Sequence, residues 1–314
     1  MKRYSFKSLM VLLAVVAVSL SSCKKSESST DDVVSAQDHT TVSQHLNASI
    51  DDASNAAGGV GTMAGKTDGF ATIAGATINY SDTSHGIVTI TYDGTTVVDG
   101  YFRRSGVVTI TLVNYPTVHW RDAGAQLDLN FDNVQVTNAF TGGQFKYNGI
   151  HHIVNMTGGL AYQLMNGTMT GTVKHHHTAT GLTVTLANGA TRQWNVDRIR
   201  EYNNTGLANG ISMSVYSGNP AGQQANVDAW GTNRNGESFY NQILTPIVFN
   251  NSCGNYRQPN SGEVKHVVSN RTLDVLLGVD QSGTAVSSTS CPYGYKVTYT
   301  QNSHTYTRIV QYWH

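Results

Sequence analysis

Hydrophobic and polar residues alternate along most of this chain with the period of two that is expected for β-strands. Residues 127–132 read Leu-Asp-Leu-Asn-Phe-Asp, and residues 182–186 read Leu-Thr-Val-Thr-Leu. Strands of this kind place one face on a core and the other in water, as antiparallel sheets do. Tight hairpin turns are indicated by five Asn-Gly dipeptides, at 148–149, 166–167, 188–189, 209–210 and 235–236. The pattern predicts an all-β fold, an antiparallel hairpin meander in two layers.

A helical period occurs only near the N-terminus. Apolar residues recur there at steps of four, four, three and four, which places them on one helical face. These residues are Val42, Leu46, Ile50, Ala53 and Ala57. Gly58 and Gly59 follow as a stop signal. We therefore predict an amphipathic helix and a Gly-rich linker within residues 37–69, and then a β body in two halves, 70–205 and 206–314.

The first residues have the features of an export signal. A basic start is followed by an apolar run over residues 9–18, which is too short to span a bilayer comfortably. The run leads to Leu20-Ser21-Ser22-Cys23, which resembles the cleavage site of bacterial lipoprotein signals. We predict a signal peptide over residues 1–22, lipid attachment to Cys23 and a disordered tether over residues 23–36. The alternatives are an ordinary secretory signal with a chance cysteine, and an uncleaved anchor.

Composition and charge limit the partners of the mature chain. The signal contains three of the 20 basic residues and none of the 20 acidic ones, so the remaining chain has a net charge of about −3. No basic excess favours nucleic acid or electrostatic adhesion to anionic lipid. Only 13% of the residues are charged, which is typical of extracytoplasmic β-proteins. We expect a membrane attachment through the lipid anchor and no nucleic-acid partner.

Two cysteines remain after Cys23, namely Cys253 and Cys291. An even pair in an oxidising compartment favours a disulfide between them. The alternative is two buried free thiols.

Consecutive histidines at 175–177 raise the question of a metal site. In a strand only His175 and His177 share a side, and His151 on a neighbouring strand could supply a third ligand. Zinc needs three or four ligands that converge on it. The favoured interpretation is that these are surface imidazoles on polar strand faces, and the metal site formed by His151, His175 and His177 is the alternative.

Catalytic motifs are weak in this chain. A Gly-x-Ser-x-Gly elbow is absent from the sequence, and the spacing of the carboxylates does not pair them as a glycosidase requires. Arg198 and Arg200 share a strand face with Trp194 and Val196. This row is either a basic recognition stripe or an ion-pair ladder against a neighbouring strand, and we favour the ladder.

Aromatic residues crowd the last predicted strands. Tyr299, Tyr306 and Trp313 could line a groove in which the apolar faces of sugars stack. The alternative is ordinary cross-strand packing, because strands favour Tyr and Trp.

Several turn-and-strand motifs occur in a recognisable order. They are Val-Thr-Ile-Thr-Tyr-Asp-Gly at 88–94, Trp-Gly-Thr-Asn-Arg-Asn-Gly at 230–236 and Ser-Gly-Glu-Val at 261–264. This order resembles a family of lipoproteins abundant in Bacteroidota, over about residues 40–314. The resemblance implies a lipid-anchored protein with a β-rich body, and it implies no activity or cofactor.

Together these features predict a lipid-anchored protein of the outer membrane, with its body on the periplasmic or the cell-surface face. We expect a non-catalytic structural or binding role, with a glycan or a protein as ligand and no cofactor. The alternative is a polysaccharide-acting hydrolase of the envelope or cell surface.

Overall fold

A computed structural model describes residues 27–59, 63, 72–98, 100–206, 210–250, 258–287, 290–301 and 303–312. It contains a long helix α1 (Glu27–Gly59), a 3-10 turn (Thr83–His85) and a short helix α2 (Ala161–Met165). The strands are β1 (Ala76–Asn79), β2 (Ile87–Asp93), β3 (Phe102–Leu112), β4 (Gln126–Asn138), β5 (Gln144–Asn155), β6 (Thr172–Leu186), β7 (Thr191–Asn204), β8 (Ile211–Ser217), β9 (Val227–Thr232), β10 (Ser238–Asn250), β11 (Ser261–Val268), β12 (Arg271–Val279), β13 (Gly294–Gln301) and β14 (His304–Gln311).

All fourteen strands belong to one antiparallel sheet, and nearly every strand pairs with its neighbours in sequence. The exception is the pair β8 and β9, which share one position between β7 and β10. β8 pairs with the second half of β7, and β9 pairs with its first half. The predicted all-β hairpin meander with an N-terminal helix is therefore confirmed. Residues 70–205 and 206–314 contribute to the same sheet.

The sheet curves around α1. Residues 37–44 of α1 line one cavity together with the adjacent ends of β5 and β6 and with Tyr295 and Val310 of β13 and β14. Strands from the middle and from the C-terminal end of the meander thus approach the same part of the helix. The two layers that the sequence predicts are opposite sides of one curved sheet, with α1 between them.

A row of β-bulges accompanies this curvature. Register shifts interrupt the pairing of β3 with β4, of β4 with β5, of β5 with β6 and of β6 with β7. A bulge bends the strand and increases its twist. At the first of these bulges Gly106 has φ +102°, and a Cβ there would lie 2.3 Å from the carbonyl oxygen of Asn133. Only glycine fits this position.

The helix differs from its prediction at the N-terminal end. It begins at Glu27, so the prediction of a disordered tether is wrong for residues 27–36. Val33 and Ala36 are buried against β11, β12 and β13, which explains why this segment is ordered. The predicted apolar face from Val42 to Ala57 is buried as expected, but Asn47 and Ser49 on other faces are buried too. The helix is therefore surrounded by sheet and not merely docked on it.

The C-terminal end of α1 leads towards the loop between β3 and β4. Met63 is fully buried, and its carbonyl oxygen accepts a hydrogen bond from the backbone N–H of Trp120 at 2.7 Å. Within the described residues, neither helix is both long enough and apolar enough to cross a bilayer.

Candidate functional site

Four ion pairs join α1 to the sheet around it. Residues 27–59 contain no lysine or arginine, whereas the inner face of the sheet presents several arginines. The pairs are Asp32–Arg271 (2.6 Å), Asp38–Arg234 (2.6 Å), Asp51–Arg200 (2.7 Å) and Asp52–Arg104 (2.5 Å). The acidic residues of α1 therefore face arginines of the surrounding structure, and the ion pairs are distributed along the helix from Asp32 to Asp52.

Strand β7 supplies three of the buried arginines, at alternate positions 192, 198 and 200 on its inner face. Arg198 pairs with Asp228 of the neighbouring strand β9 at 3.0 Å, which confirms the predicted ladder for this residue. Arg200 instead pairs across the interior with α1, where its second terminal nitrogen donates to Asn47 Oδ1 at 2.6 Å. The sequence could not indicate this partner, because the residues are far apart in the chain.

A cavity lies between α1 and strands β7 to β12, with a volume of about 60 Å³. This space is sufficient for about four water molecules. One wall is polar and includes His39, Arg198, Asp228, Asn241 and His266. The other lining residues are mainly apolar, and they include Val215, Ile247, Phe249, Val264, Val275 and Leu277. We call this space the helix–sheet cavity.

Several polar atoms in and beside the helix–sheet cavity have no hydrogen-bond partner among the described residues. They include His39 Nδ1, Arg198 Nε and Trp194 Nε1. Arg192 is fully buried, and none of its three side-chain nitrogens has a partner there. Its guanidinium lies 4.9 Å from the centre of the Phe239 ring. Nearly all of these atoms are donors, so the region offers hydrogen bonds that the described protein does not use.

Burial changes the protonation of the groups around this cavity. It holds the pKa of His39 well below its usual value, and the nearby His266 and Arg192 lower it further. The pKa of His266 is about 3, because of burial and then of Arg192. Burial also lowers the pKa of Arg192 to about 10, although Asp38 opposes the effect. At neutral pH the two imidazoles are therefore neutral and Arg192 remains charged.

A second cavity of about 310 Å³ lies where α1 meets the ends of β5, β6, β13 and β14. Among the described residues that line it, Asp38 is the only carboxylate, and both oxygens of Asp38 accept hydrogen bonds from Arg234. The helix–sheet cavity likewise holds one carboxylate, Asp228, which is paired with Arg198. The described lining of each cavity therefore contains a single carboxylate, and each of these carboxylates has an arginine partner.

The histidines of β5 and β6 do not lie where the favoured interpretation places them. His151, His175 and His177 are buried, so their interpretation as surface imidazoles is wrong. His176 between them points outward and bonds Asp197 at 2.7 Å. The inward side of β6 faces the core, which is why alternate histidines of one run have opposite environments.

The buried histidines do not form a metal site in the structure. His151 Nε2 and His177 Nδ1 are hydrogen-bonded to each other at 3.2 Å, and the ring of His175 packs 5.0 Å from that of Trp120. Among the described residues, no three His, Cys, Asp or Glu side chains are grouped closely enough for a metal ion. Burial lowers the pKa of all three, to about 3 for His175, so they are neutral core residues.

The aromatic residues of the last hairpin lie partly as predicted. Tyr299 of β13 and Tyr306 of β14 are cross-strand partners, and their rings stack at 5.2 Å with an interplanar angle of 16°. Tyr306 is 46% exposed at the edge of the sheet, whereas Tyr299 packs against the core. Trp313 lies outside the described residues. Packing between strands explains the pair, and it leaves a surface on which a ligand ring could stack.

The cysteine predictions fall largely outside the described part of the chain. Cys23 and Cys253 lie outside it, so lipid attachment and the bridge from Cys253 to Cys291 stay predictions. Intact-mass measurement after alkylation, with and without reductant, tests the bridge. Alkylation of both thiols without reductant would contradict it.

The sequence interpretation did not single out Arg192, His39 or the Asp–Arg pairs of α1. The sequence did contain one indication of the buried arginines. Alternate positions of a strand point to the same face, and one face of β7 carries Arg192, Trp194, Arg198 and Arg200. Nothing in that alternation shows that the face is turned towards a helix from the other end of the chain.

No family model matches the chain, and neither curated proteins nor solved structures show a significant match to it. The resemblance to Bacteroidota lipoproteins therefore stays a prediction.

Proposed function

We propose that this protein is a lipid-anchored component of the outer membrane, with its body on the periplasmic or cell-surface side and with a non-catalytic binding role. The observation that carries the proposal is the position of α1. Its first residue, Glu27, follows the predicted lipid-bearing Cys23 by only four positions. Four extended residues span about 14 Å at most. The anchor would thus connect almost directly to the core of the fold.

This short link gives the anchor a mechanical consequence. Because α1 is surrounded by sheet and joined to it by four Asp–Arg pairs, it cannot swing away from the body as a free tether would. The body is held within a few residues of the membrane surface. This arrangement favours a protein that binds its partner close to the membrane surface. A protein that binds a partner far from the membrane would need a longer linker.

A glycan or protein ligand would not fit into the helix–sheet cavity, which holds only about four water molecules. The last hairpin offers the best-suited surface among the described residues. β14 is an edge strand, and its Tyr306, which is 46% exposed, stacks on Tyr299 of β13. We favour a glycan, since aromatic rings pair an apolar face with a polar hydroxyl.

Glycan-array screening of the chain from residue 24 onward tests the binding role. The Tyr306→Ala variant should lose binding, whereas Tyr216→Ala should keep it. Tyr216 is the matched control because it is a tyrosine of β8 with 36% exposure. Equal binding by both variants would remove the hairpin as the ligand surface.

The alternative function, a polysaccharide-acting hydrolase, would require two carboxylates that flank a bound sugar. Each of the two cavities described above has one carboxylate, and each is held by an arginine. This distribution supports the binding role over the hydrolase. Release of reducing ends from envelope polysaccharides by the purified protein would reverse that preference.

The anchor itself is tested by replacing Cys23. The Cys23→Ser variant should lose metabolic labelling by an alkyne fatty acid and should leave the membrane fraction, while Cys291→Ser should retain both. Protease treatment of intact cells then distinguishes a cell-surface body, which is cleaved, from a periplasmic one, which is protected. Membrane retention and labelling of Cys23→Ser would contradict the lipoprotein assignment.

A further inference from the structure

Many of the hairpin turns lie at one end of the sheet. In an antiparallel meander, successive connections alternate between the two ends of the strands. The turns that follow β2, β4, β6, β9, β11 and β13 therefore share one end. The connections that follow β3, β5, β7, β10 and β12 share the other end. We call the first end the hairpin rim.

The start of α1 lies at the hairpin rim. Asp38 pairs with Arg234, which lies in the turn after β9. Asp32 pairs with Arg271, the first residue after the turn that follows β11. The helix begins five residues before Asp32, which is about 8 Å along its axis. The end of α1 from which the predicted lipid anchor would extend is therefore on the rim side of the body.

The turn between β4 and β5 projects towards the same end of α1. The ring of Phe145 lies 5.7 Å from that of His45, and two residues later Tyr147 is hydrogen-bonded to Ser49. β5 thus runs beside α1 in the same direction, so the turn before β5 points towards the N-terminal end of the helix. The base of this turn lines the second cavity together with residues 37–44.

This turn carries the most exposed large apolar side chain among the described residues. Phe140 is 74% exposed, and residues 139–143 contain no charged side chain. The Phe140 ring lies 5.6 Å from the ring of Tyr101, which is 40% exposed in the neighbouring turn after β2. Exposed apolar side chains that are grouped in this way mark surfaces that another apolar phase covers.

Backbone hydrogen bonds hold this aromatic pair in place. The N–H of Ala139 donates to the carbonyl oxygen of Tyr101 at 2.7 Å, which joins the two turns. The N–H groups of Phe140 and Thr141 both donate to Asn138 Oδ1 at 2.9 Å. An ordered turn loses little conformational entropy when its exposed ring is buried, so Phe140 is already arranged for such a contact.

From these observations we propose that Phe140 and Tyr101 insert into the interfacial region of the membrane that carries the anchor. The inference rests on the proposed function, because the anchor is what brings lipid to the hairpin rim. The link of four residues before α1 reaches about 14 Å, which lets the body lean on the membrane with this side of the rim. The Phe140 ring then lies below the lipid headgroups, and the Tyr101 hydroxyl stays at their level.

The contact does not depend on charge. The mature chain has a net charge of about −3, and the turn that carries Phe140 is uncharged. Zwitterionic lipid should therefore be sufficient, and high salt should not release the contact.

Quenching by brominated lipid tests the insertion. The chain from residue 24 onward contains every described residue. An N-terminal hexahistidine tag attaches it to phosphatidylcholine vesicles that contain a nickel-chelating lipid. Phe140→Trp is the probe, and Met156→Trp is the matched control, because Met156 is 45% exposed just after β5 at the opposite end of the sheet.

Bromine on the acyl chains should quench most of the emission that Phe140→Trp adds to the parent chain, and it should leave that of Met156→Trp unchanged. Equal quenching of the two variants, or no quenching of Phe140→Trp, would overturn the insertion. The tag replaces the acyl chain, so this result does not depend on lipidation of Cys23. The labelling of Cys23→Ser decides that question separately.

A second probe measures what Phe140 contributes. In the tethered Tyr101→Trp variant, an added Phe140→Ser should lower the ratio of inserted to free turn about tenfold or more, because burial of a Phe side chain is lost. Quenching of the Trp at position 101 should fall accordingly. An added Ile150→Ser should not change it, since Ile150 is exposed within β5, away from the turn. Unchanged quenching after Phe140→Ser, or loss of quenching in high salt, would contradict an apolar contact.

Discussion

The ion pair between Asp51 and Arg200 offers the sharpest test of how α1 is held inside the sheet. Arg200 is fully buried, whereas the Asp51 side chain is 23% exposed, and the two are 2.7 Å apart. Asp51→Asn removes the negative charge while it keeps the shape and one acceptor oxygen. We expect a destabilisation of about 2–4 kcal/mol, because Arg200 is left as a buried cation without its counter-charge.

The magnitude follows from the geometry. Two unit charges whose centres are about 4 Å apart interact by about 4 kcal/mol at the effective dielectric constant of about 20 that suits protein sites. The exposure of Asp51 and the oxygen kept by Asn reduce this loss. Arg200→Met should cost less, about 1–2 kcal/mol, because the remaining Asp51 carboxylate can reach water while a remaining Arg200 cannot. The double variant should be more stable than Asp51→Asn alone, since no charge stays buried.

Urea unfolding, followed by tryptophan fluorescence and by circular dichroism, measures the free energy of unfolding of each variant. Asp128→Asn is the control, because Asp128 pairs with His152 on the outer face, where both side chains are at least 35% exposed. It should cost less than about 1 kcal/mol. If Asp51→Asn cost no more than Asp128→Asn, or if Arg200→Met cost more than Asp51→Asn, the assignment of a buried Arg200 held by α1 would be refuted.

Two further predictions concern protonation and backbone geometry. The pKa of His175 and of His266 is about 3 in the folded chain and about 6.5 when unfolded. Below pH 6.5 the unfolded chain therefore binds protons that the folded chain does not, and each residue should cost about 2 kcal/mol of stability between pH 7 and pH 5. Urea midpoints across this range test it, and a midpoint that does not fall would contradict it. Gly106→Ala should destabilise by about 3 kcal/mol, through its positive φ and a backbone clash, whereas Gly189→Ala, with φ +81° and open space, should cost about 1 kcal/mol. Equal unfolding temperatures for the two glycine variants would show that the bulge does not need glycine.

The predictions from local pattern were the most accurate. Alternation in residues 127–132 placed Leu127 and Leu129 on a buried face, and the structure buries both in β4. The helical period likewise predicted the buried apolar side of α1. The start of α1 was missed, because residues 27–36 are mostly polar and small, and the burial of Val33 and Ala36 is against β11 to β13, which lie more than 200 residues away in the chain.

The interpretation of the histidines shows a second limit. Alternation correctly placed His175 and His177 on the same side of one strand. It could not show which side is the interior, because a polar residue on an inner face looks the same in sequence as one on an outer face. These histidines pack against other buried rings, such as Trp120 and Tyr202, so a buried face carries polar residues here, against the usual rule that polar alternation marks the wet face.

For this protein, the sequence by itself determined the strands and the turns between them. These depend on residues close together in the chain, through side-chain alternation and turn geometry. Only the tertiary structure decided that α1 lies inside the sheet, that its acidic residues meet Arg104, Arg200, Arg234 and Arg271, and that Arg192 is buried with no hydrogen-bond partner among the described residues. These facts depend on contacts between residues 50 or more positions apart, such as Asp51 and Arg200, which the local pattern does not encode.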